Sequence, residues 1–196
     1  MRIAVIGAGK VGRGLALALA FHTAGLDVAL GTRDPAAAPD GPVEAVGIGD
    51  ALAGADTVVL AVTGTAVDGL LAEHGAALDG LLVVDATNRA GRPDGVLHNA
   101  GAVARHAPGA RYARAFNSAG VELFGRPDPD GAAADLLFSA DEADRAAVER
   151  LIGAAGLRPA YLGPASYADL DAALRLLVRL TAVSGRRHLG WRVVTE

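Results

Sequence analysis

Three glycines near the N-terminus have the spacing of a phosphate-binding turn. Gly7, Gly9 and Gly12 follow the apolar run 2–6 and precede an apolar stretch with helical spacing. In such a strand–turn–helix context the first glycine permits a tight turn, the second lets the backbone approach a pyrophosphate, and the third lets the helix pack closely on the sheet. The helix N-terminus also offers unpaired N–H groups to the phosphates. The motif predicts dinucleotide binding, and a plain strand-to-helix turn is the alternative.

A second group of chemically capable residues ends the next apolar run. Thr32 and Arg33 stand about 20 positions after the last glycine, where NAD-binding proteins usually place a carboxylate for the ribose 2′-hydroxyl. A hydroxyl and a guanidinium suit a 2′-phosphate instead, because arginine can grip it with two parallel hydrogen bonds. Asp34 could serve a ribose hydroxyl, but it is more typical of a residue that begins the turn before Pro35. The pattern favours NADP, with a solvated charge pair as the alternative.

Small polar residues follow three later apolar runs. Thr63, Asn88 and Asn117 each stand within three residues of the end of such a run. Ligands of parallel α/β sheets bind at the carboxyl ends of the strands, so we expect these side chains to orient a nicotinamide amide and a substrate carbonyl. None of them is a strong acid or base at neutral pH. Asp85 also ends an apolar run, and its type fits a catalytic role and a turn cap equally well.

Several chemistries are excluded by the residue counts. Lys10 is the only lysine and lies in the glycine-rich turn, so a Tyr-x-x-x-Lys reductase pair cannot be formed. The five histidines lack the spacing of metal ligands, and we expect no metal site. The absence of cysteine excludes thiolate nucleophiles and disulfides.

The overall charge and hydropathy favour a small-molecule partner. The net charge of −4 provides no basic field for nucleic acid or an anionic membrane surface. No stretch of about 18 residues is continuously apolar, so no membrane span is expected. The sequence begins with Met1 and an apolar strand-like run without a signal-peptide pattern, and we expect a cytoplasmic protein.

Strand-like and helix-like segments alternate along the chain, which predicts the elements that position these residues. Short apolar runs alternate with helical patterns, as in a Rossmann-type, doubly wound and mainly parallel α/β sheet. The first helix is expected to run to about Ala24 and to stop at Gly25, and a later helix is expected over 95–106, with His98 and His106 on it. Residues 1–196 are expected to form a single domain, with residues 166–188 as a short C-terminal helical segment.

The last helix has more apolar surface than one packed face requires. Leu170, Leu174 and Leu177 form one stripe, and Ala173, Leu176 and Leu180 extend it around the helix. A surface helix usually needs only one such face. We therefore expect a homodimer formed through this helix, with enclosure within one subunit as the alternative.

Four segments of the chain resemble the coenzyme F420-dependent NADP oxidoreductase family. These segments are the glycine-rich turn with its preceding strand, the run 30–35, the run 84–88 and the run 114–122; the segment 161–165 and the last helix also match. The resemblance implies a homodimeric reductase that passes a hydride between NADP(H) and coenzyme F420, a deazaflavin. It matches Thr32 and Arg33 to the residues that hold the 2′-phosphate, and Asn117 to a position beside the nicotinamide.

The motifs and the resemblance together predict the site. Asn117 and Asn88 are the expected positioning residues of catalysis. The expected cofactor-binding residues are Gly7, Ala8, Gly9, Lys10, Val11, Gly12, Thr32, Arg33, Val62, Thr63, Ala86, Asn88 and Asn117.

Two positions depart from the family pattern. The family commonly has Pro-Trp where this chain has Thr63 and Gly64, and it commonly has Pro where this chain has Arg89. Both positions border the family's second-substrate pocket. Two alternatives to a deazaflavin reductase therefore stay open: an NADPH-dependent reductase of a small imine, carbonyl or activated alkene, and a non-catalytic NADPH-sensing module.

Overall fold

A six-stranded parallel sheet with helices on both faces forms the centre of the molecule. The computed structural model describes residues 1–22, 26–38, 40–91, 94–125, 133–186 and 189–194. The strands are β1 (Arg2–Ile6), β2 (Asp27–Thr32), β3 (Ala45–Gly47), β4 (Thr57–Leu60), β5 (Leu82–Asp85), β6 (Arg111–Arg114), β7 (Asp135–Phe138) and β8 (Arg158–Tyr161). The helices are α1 (Lys10–His22), α2 (Ile48–Leu52), α3 (Val67–His74), α4 (Ala100–His106), α5 (Glu142–Ala154) and α6 (Tyr167–Ser184).

The strand order places a topological switch point beside β1. The order in the large sheet is β3-β2-β1-β4-β5-β6, and every pair is parallel. The chain runs from β1 outward to β3 and then returns to β4 on the other side of β1. In such sheets a crevice opens at the carboxyl ends of the strands on either side of the switch point, and ligands bind there. The predicted Rossmann-type fold class is confirmed.

Apolar side chains cover both faces of the large sheet. Strands β1, β4 and β5 are almost fully buried, as their continuous apolar runs predict. One face packs against α1 and α5, with Leu15, Leu19 and Leu151 in its core, and the other packs against α2, α3 and α4. These two layers fix the loops that follow the strands.

Strands β7 and β8, which follow the large sheet in the sequence, form a second, two-stranded parallel sheet. Backbone hydrogen bonds between Arg114 and Ser139 join it to the end of β6. Phe138 and Leu136 of β7 lie in the same core cluster as Ile3 and Val5 of β1. Helix α6 follows β8.

Several predicted boundaries are corrected by the structure. The helix expected over 95–106 begins only at Ala100, so His98 lies in the loop before it. The helical segment expected over 166–188 covers Tyr167–Ser184, because Gly185 adopts a left-handed φ of 64° and its N–H closes the last turn on Thr181. The helix stop expected at Gly25, with Ala24, lies outside the described residues, as do residues 187–188.

None of the helices in the described ranges is long and apolar enough to cross a membrane. The same residues contain no group of three or more histidine, aspartate and glutamate side chains that could hold a metal ion.

Candidate functional site

The backbone geometry of the glycine-rich turn requires glycine at two of its three motif positions. Gly7 adopts a φ of 124°, and its N–H donates to the Gly31 carbonyl at 2.8 Å. A Cβ on Gly12 would lie 1.8 Å from the Gly7 carbonyl oxygen, so only glycine permits this helix approach. Gly9, in contrast, is exposed and has open space where its Cβ would be. The room above Gly9 is therefore available to a ligand at the N-terminus of α1.

Lys10, in the same turn, is already paired. Its ammonium group contacts the Glu122 carboxylate, which comes from a 3₁₀ turn over Val121–Leu123. The Lys10 side chain is nevertheless 74% exposed. The pairing ties the loop after β6 to the start of α1.

The end of β2 presents a free guanidinium. Arg33 is exposed and has no hydrogen-bond or ion-pair partner within the described part of the chain, and Thr32 beside it is half-buried. The Asp34 carboxylate accepts a hydrogen bond from the Ala37 N–H at 3.2 Å. Asp34 therefore begins the turn that contains Pro35, which is the second of the two roles predicted for it. Arg33 is thus the residue of this loop that is free to bind an anion.

A cavity of about 350 Å³ opens at the switch point. It lies between the start of α1 and the loops that follow β4 and β5. Five of the residues expected to bind the cofactor line it together, which sequence spacing alone could not establish. Its lining residues are Val11, Ala61, Val62, Thr63, Gly64, Thr65, Ala86, Thr87, Asn88 and Ala90.

Asn117 has a buried side chain whose hydrogen-bonding capacity is unused. The residue is only 4% exposed, and within the described structure neither its amide nitrogen nor its amide oxygen has a partner. The preceding residue, Phe116, adopts a φ of 63°, a left-handed conformation that is costly for a bulky side chain. Backbone strain of this kind concentrates at functional sites, and unpaired buried polar atoms are uncommon in folded proteins.

The Asn88 and Asn117 loops are joined directly. The Asn88 amide nitrogen donates to the Asn117 carbonyl oxygen at 2.8 Å. The structure therefore brings the two expected positioning residues together. Asn117 is not among the residues that line the cavity, whereas Asn88 is.

Asp85 is fully buried and saturated with hydrogen bonds. One carboxylate oxygen accepts from the Thr87 N–H and hydroxyl at 2.9 and 2.6 Å, and the other accepts from the Asn99 N–H at 2.9 Å and the Tyr112 hydroxyl at 2.7 Å. Burial, together with the negative charge of Asp85, raises the pKa of Tyr112 well above its ordinary value. Of the two roles left open for Asp85, the geometry supports the cap.

Arg114 was not singled out as a site residue by the sequence, yet it lies at the centre of this region. It is 0% exposed, and its guanidinium contacts the carboxylates of Asp85 at 3.3 Å and Asp171 at 2.7 Å. It also donates to the Thr87 carbonyl and the Asn88 amide oxygen, both at 3.0 Å. The sequence feature that could have identified Arg114 is a charged residue inside the otherwise apolar run 112–116.

The two departures from the family pattern have clear packing roles. A Cβ on Gly64 would lie 2.4 Å from the Asn88 carbonyl oxygen, so a larger residue would not fit without moving that loop. Arg89 points to Asp68 of α3 and pairs with it at 2.8 Å, and its side chain is 16% exposed. The two positions therefore hold the cavity wall through contacts within this chain.

The sequence and the fold were compared with known proteins. Among solved structures, a candidate F420-dependent NADP reductase from Arthrobacter sp. FB24 is similar, with a TM-score of 0.81, 26% identity, and coverage of 98% of this chain and 99% of that one. A hypothetical protein from Sinorhizobium meliloti matches with a TM-score of 0.66, 29% identity, and coverage of 86% and 87%.

An imine reductase from Streptomyces aurantiacus shares the fold at 19% identity, with a TM-score of 0.72. The match covers 93% of this chain but only 62% of the imine reductase, so this chain spans less than two thirds of that protein. No curated protein matches the sequence.

Residues 2–89 match the model of the family described as NADP oxidoreductase, coenzyme F420-dependent. That range contains the glycine-rich turn, Thr32, Arg33, Thr63 and Asn88. The resemblance indicated by the sequence motifs is thereby confirmed: this part of the chain carries the pattern of the coenzyme F420-dependent NADP oxidoreductases.

Proposed function

We propose that the protein is an NADPH-dependent oxidoreductase that transfers a hydride between NADP(H) and coenzyme F420. The observation that carries this proposal is the cavity at the switch point, which is lined by five of the residues expected to bind NADP(H). Next to its lining residue Asn88, the buried Asn117 amide has one donor group and one acceptor without partners in the described structure. Leaving such groups unpaired costs about 1–3 kcal/mol each, so a ligand with matching groups gains by pairing them. The carboxamide of a nicotinamide offers both a donor and an acceptor.

The residues present fit the rest of NADPH along the sheet edge. Arg33 and Thr32 would hold the 2′-phosphate, because the guanidinium is free and exposed beyond β2. The α1 N-terminus above Gly9 would hold the pyrophosphate, where backbone N–H groups and the helix dipole favour negative charge. The nicotinamide half would then lie on the opposite side of β1, toward Thr63, Asn88 and Asn117.

The mechanism requires positioning rather than a side-chain acid. When bound, NADPH supplies a hydride. The residues of this chain hold the reacting rings in register, and such positioning can contribute about 7–11 kcal/mol to lowering the barrier. Thr63 and Asn88 line the cavity with small polar groups that suit a flat ring system. Asp85, the carboxylate at the end of β5, is saturated by its hydrogen bonds and serves as a structural anchor.

A small imine, carbonyl or activated alkene is the second candidate substrate class. The fold shared with an imine reductase favours it, as do the small residues where the family commonly has Pro-Trp. A carbonyl reductase needs a proton donor with a pKa near neutrality. His98 is a candidate by type, but its Nδ1 accepts a hydrogen bond from the Ala100 N–H at 3.3 Å, and its ring packs against Tyr167 at a tilt of 56°. The deazaflavin is favoured because its ring nitrogen exchanges a proton with solvent.

Absorbance spectroscopy with purified protein tests the proposal. NADPH added to protein and oxidised F420 is expected to bleach the deazaflavin's visible absorbance, and Asn117→Ala is expected to slow this at saturating NADPH. Parallel reactions contain a flavin, a small ketone or a cyclic imine. Turnover of the ketone or imine without bleaching would favour the second candidate. NADPH binding with no turnover of any substrate would favour a sensing module.

A further inference from the structure

We propose that Arg114 is a positioning residue that orients the Asn88 amide at the nicotinamide half of the site and couples it, through Asp171, to helix α6. This inference rests on the proposed NADPH site. It goes beyond it because neither Arg114 nor Asp171 was expected to take part in binding.

The hydrogen bonds form a continuous chain from α6 to the site. One oxygen of Asp171 accepts from Arg114 Nη2 at 2.7 Å, and the same Nη2 donates to the Asn88 amide oxygen at 3.0 Å. The Asn88 amide nitrogen then donates to the Asn117 carbonyl at 2.8 Å. Since the guanidinium engages the amide oxygen, the amide nitrogen must face Asn117. Arg114 thereby determines which way the Asn88 amide points.

The second arm of the guanidinium fixes the backbone of the same loop. Arg114 Nη1 donates to the Thr87 carbonyl at 3.0 Å and lies 3.3 Å from Asp85. Asp85 in turn holds Thr87 through two hydrogen bonds. The loop after β5 is therefore held through its backbone and its side chains, on the wall of the cavity.

Asp171 brings a third element into this arrangement. Its second oxygen accepts from the Leu97 N–H at 2.8 Å, so α6 is bound both to Arg114 and to the loop before α4. Asp171 and Arg114 are 3% and 0% exposed in their side chains. Any displacement of α6 at this point must move the guanidinium that orients Asn88.

Stability alone gives a weak reason for this arrangement. Replacing a buried ion pair by packed apolar residues is often neutral or stabilising, because desolvation offsets the attraction between the charges. What apolar side chains could not provide is the direction of the Asn88 amide. The geometry therefore favours a role in positioning.

Calorimetry with two ligands distinguishes a specific effect on the nicotinamide half of the site from a general effect on folding. NADPH would contact both halves of the site, whereas adenosine 2′,5′-bisphosphate contains the 2′-phosphate and lacks the nicotinamide. Arg114→Lys is expected to weaken NADPH binding on the order of tenfold, because one ammonium group cannot replace the forked contacts. Its affinity for the bisphosphate should stay within about twofold of that of the wild type.

Arg158→Lys is the matched control, since Arg158 also lies on a strand and pairs with an aspartate, Asp135, at 2.7 and 2.8 Å. Arg158→Lys should change neither the affinity for NADPH nor the affinity for the bisphosphate. Asn88→Ala should weaken NADPH binding selectively, and adding Arg114→Lys to it should cause little further loss, as expected for residues that act through one another.

The outcomes distinguish the two proposals. If Arg114→Lys weakens the binding of both probes equally, or if its effect on NADPH affinity adds to that of Asn88→Ala, Arg114 has a structural role. Either result would overturn the positioning proposal alone. Wild-type protein that binds the bisphosphate and NADPH equally, or binds neither, would overturn the nicotinamide site itself. If Arg114→Lys does not fold, Asp171→Asn replaces it, and a selective loss of NADPH affinity is again the expected result.

Discussion

Polar side chains at the carboxyl edge of the sheet differ in how many of their hydrogen-bonding groups are used. Asp85 and Arg114 are buried and make several hydrogen bonds each, which leaves them no freedom to meet a ligand. Arg33 and Asn117 have groups that are free in the described structure, one at the surface and one buried. Arg33 and Asn117 therefore have unused hydrogen-bonding capacity, whereas Asp85 and Arg114 are held in place by their contacts.

Arg33→Ala is expected to weaken NADPH binding by about tenfold to a hundredfold, because a charge-assisted contact to the 2′-phosphate contributes about 1.5–3 kcal/mol. NADH binding should hardly change, since NADH lacks that phosphate. Calorimetry with both nucleotides measures the difference, and Arg150→Ala on the exposed surface of α5 is the control. Wild-type protein that binds NADH as tightly as NADPH would contradict this role.

His98 should make the stability of the fold depend on pH. Burial lowers the pKa of His98, and the nearby Arg114 charge also lowers it, against the opposite effect of Asp171. The unfolded chain, with a histidine pKa of about 6.5, therefore takes up the proton more readily than the folded one. The stabilising effect of neutral His98 is complete above about pH 6.5 and is lost as the pH falls toward its folded-state pKa.

Melting temperatures between pH 7.5 and 5.5 measure this effect. The wild type should lose stability over this interval more steeply than His98→Asn, which cannot titrate. Parallel melting profiles for the two proteins would show that His98 protonates equally in the folded and unfolded states.

At the scale of elements, the strands were predictable and the loops were not. The strand β1 was expected over 2–6 and is found there, because a continuous apolar run is required of a strand buried on both faces. The helix expected over 95–106 starts late because residues 95–99 make contacts that no local pattern encodes. The Asn99 N–H donates to Asp85, and the Leu97 carbonyl accepts from the Arg89 N–H.

The candidate site likewise contains some residues that the sequence predicts and others that it does not. The glycine-rich turn was predictable from its spacing, because Gly7 and Gly12 occupy positions where a Cβ would not fit. Gly9 has room for a Cβ, and it was expected only from the motif. The contacts of Arg114 were not predictable, because its partners Asp85 and Asp171 stand 29 and 57 positions away in the sequence. The strained φ of Phe116 likewise has no signature in residue type.

Two glycine-to-alanine substitutions in the first βα turn should have different effects, one on stability and the other on binding. Gly12→Ala should lower the melting temperature, because its Cβ would lie 1.8 Å from the Gly7 carbonyl oxygen. Overpacking of this kind costs about 1–3 kcal/mol, and each kcal/mol lowers the melting temperature of a chain this size by about 2–4 °C.

Gly9→Ala should leave the melting temperature unchanged or slightly higher, because no atom lies within 4 Å of its added Cβ. It should nevertheless weaken NADPH binding, since the methyl group would occupy the approach of the pyrophosphate. Thermal melts and calorimetry on both variants test the pair. An unstable Gly9→Ala with unaltered affinity would contradict the assignment.

At the scale of the whole molecule, two features bear on assembly. The second sheet shares a core with the first, since Phe138 and Leu136 lie in one cluster with Ile3 and Val5, and we propose that the chain folds as one domain. Helix α6 is only partly covered by that domain. Leu170 and Leu177 are buried, whereas most of the helix after Asp171 is exposed.

The uncovered part of α6 predicts a homodimer. Leu176, Leu180 and Val183 are 47, 44 and 82% exposed and stand at positions i, i+4 and i+7, so they form one apolar stripe. Large exposed apolar stripes are unfavourable in water and typically mark interfaces, and a second copy of the helix would cover this one with like residues. Light scattering of the wild type should give twice the chain mass of 19.6 kDa. Leu180→Arg should give a monomer, whereas Leu17→Arg, which changes a residue of α1 that is 42% exposed, should leave the dimer intact. A 19.6 kDa species at every concentration of the wild type would refute the dimer, and equal dissociation by both variants would place the interface elsewhere than on α6 alone.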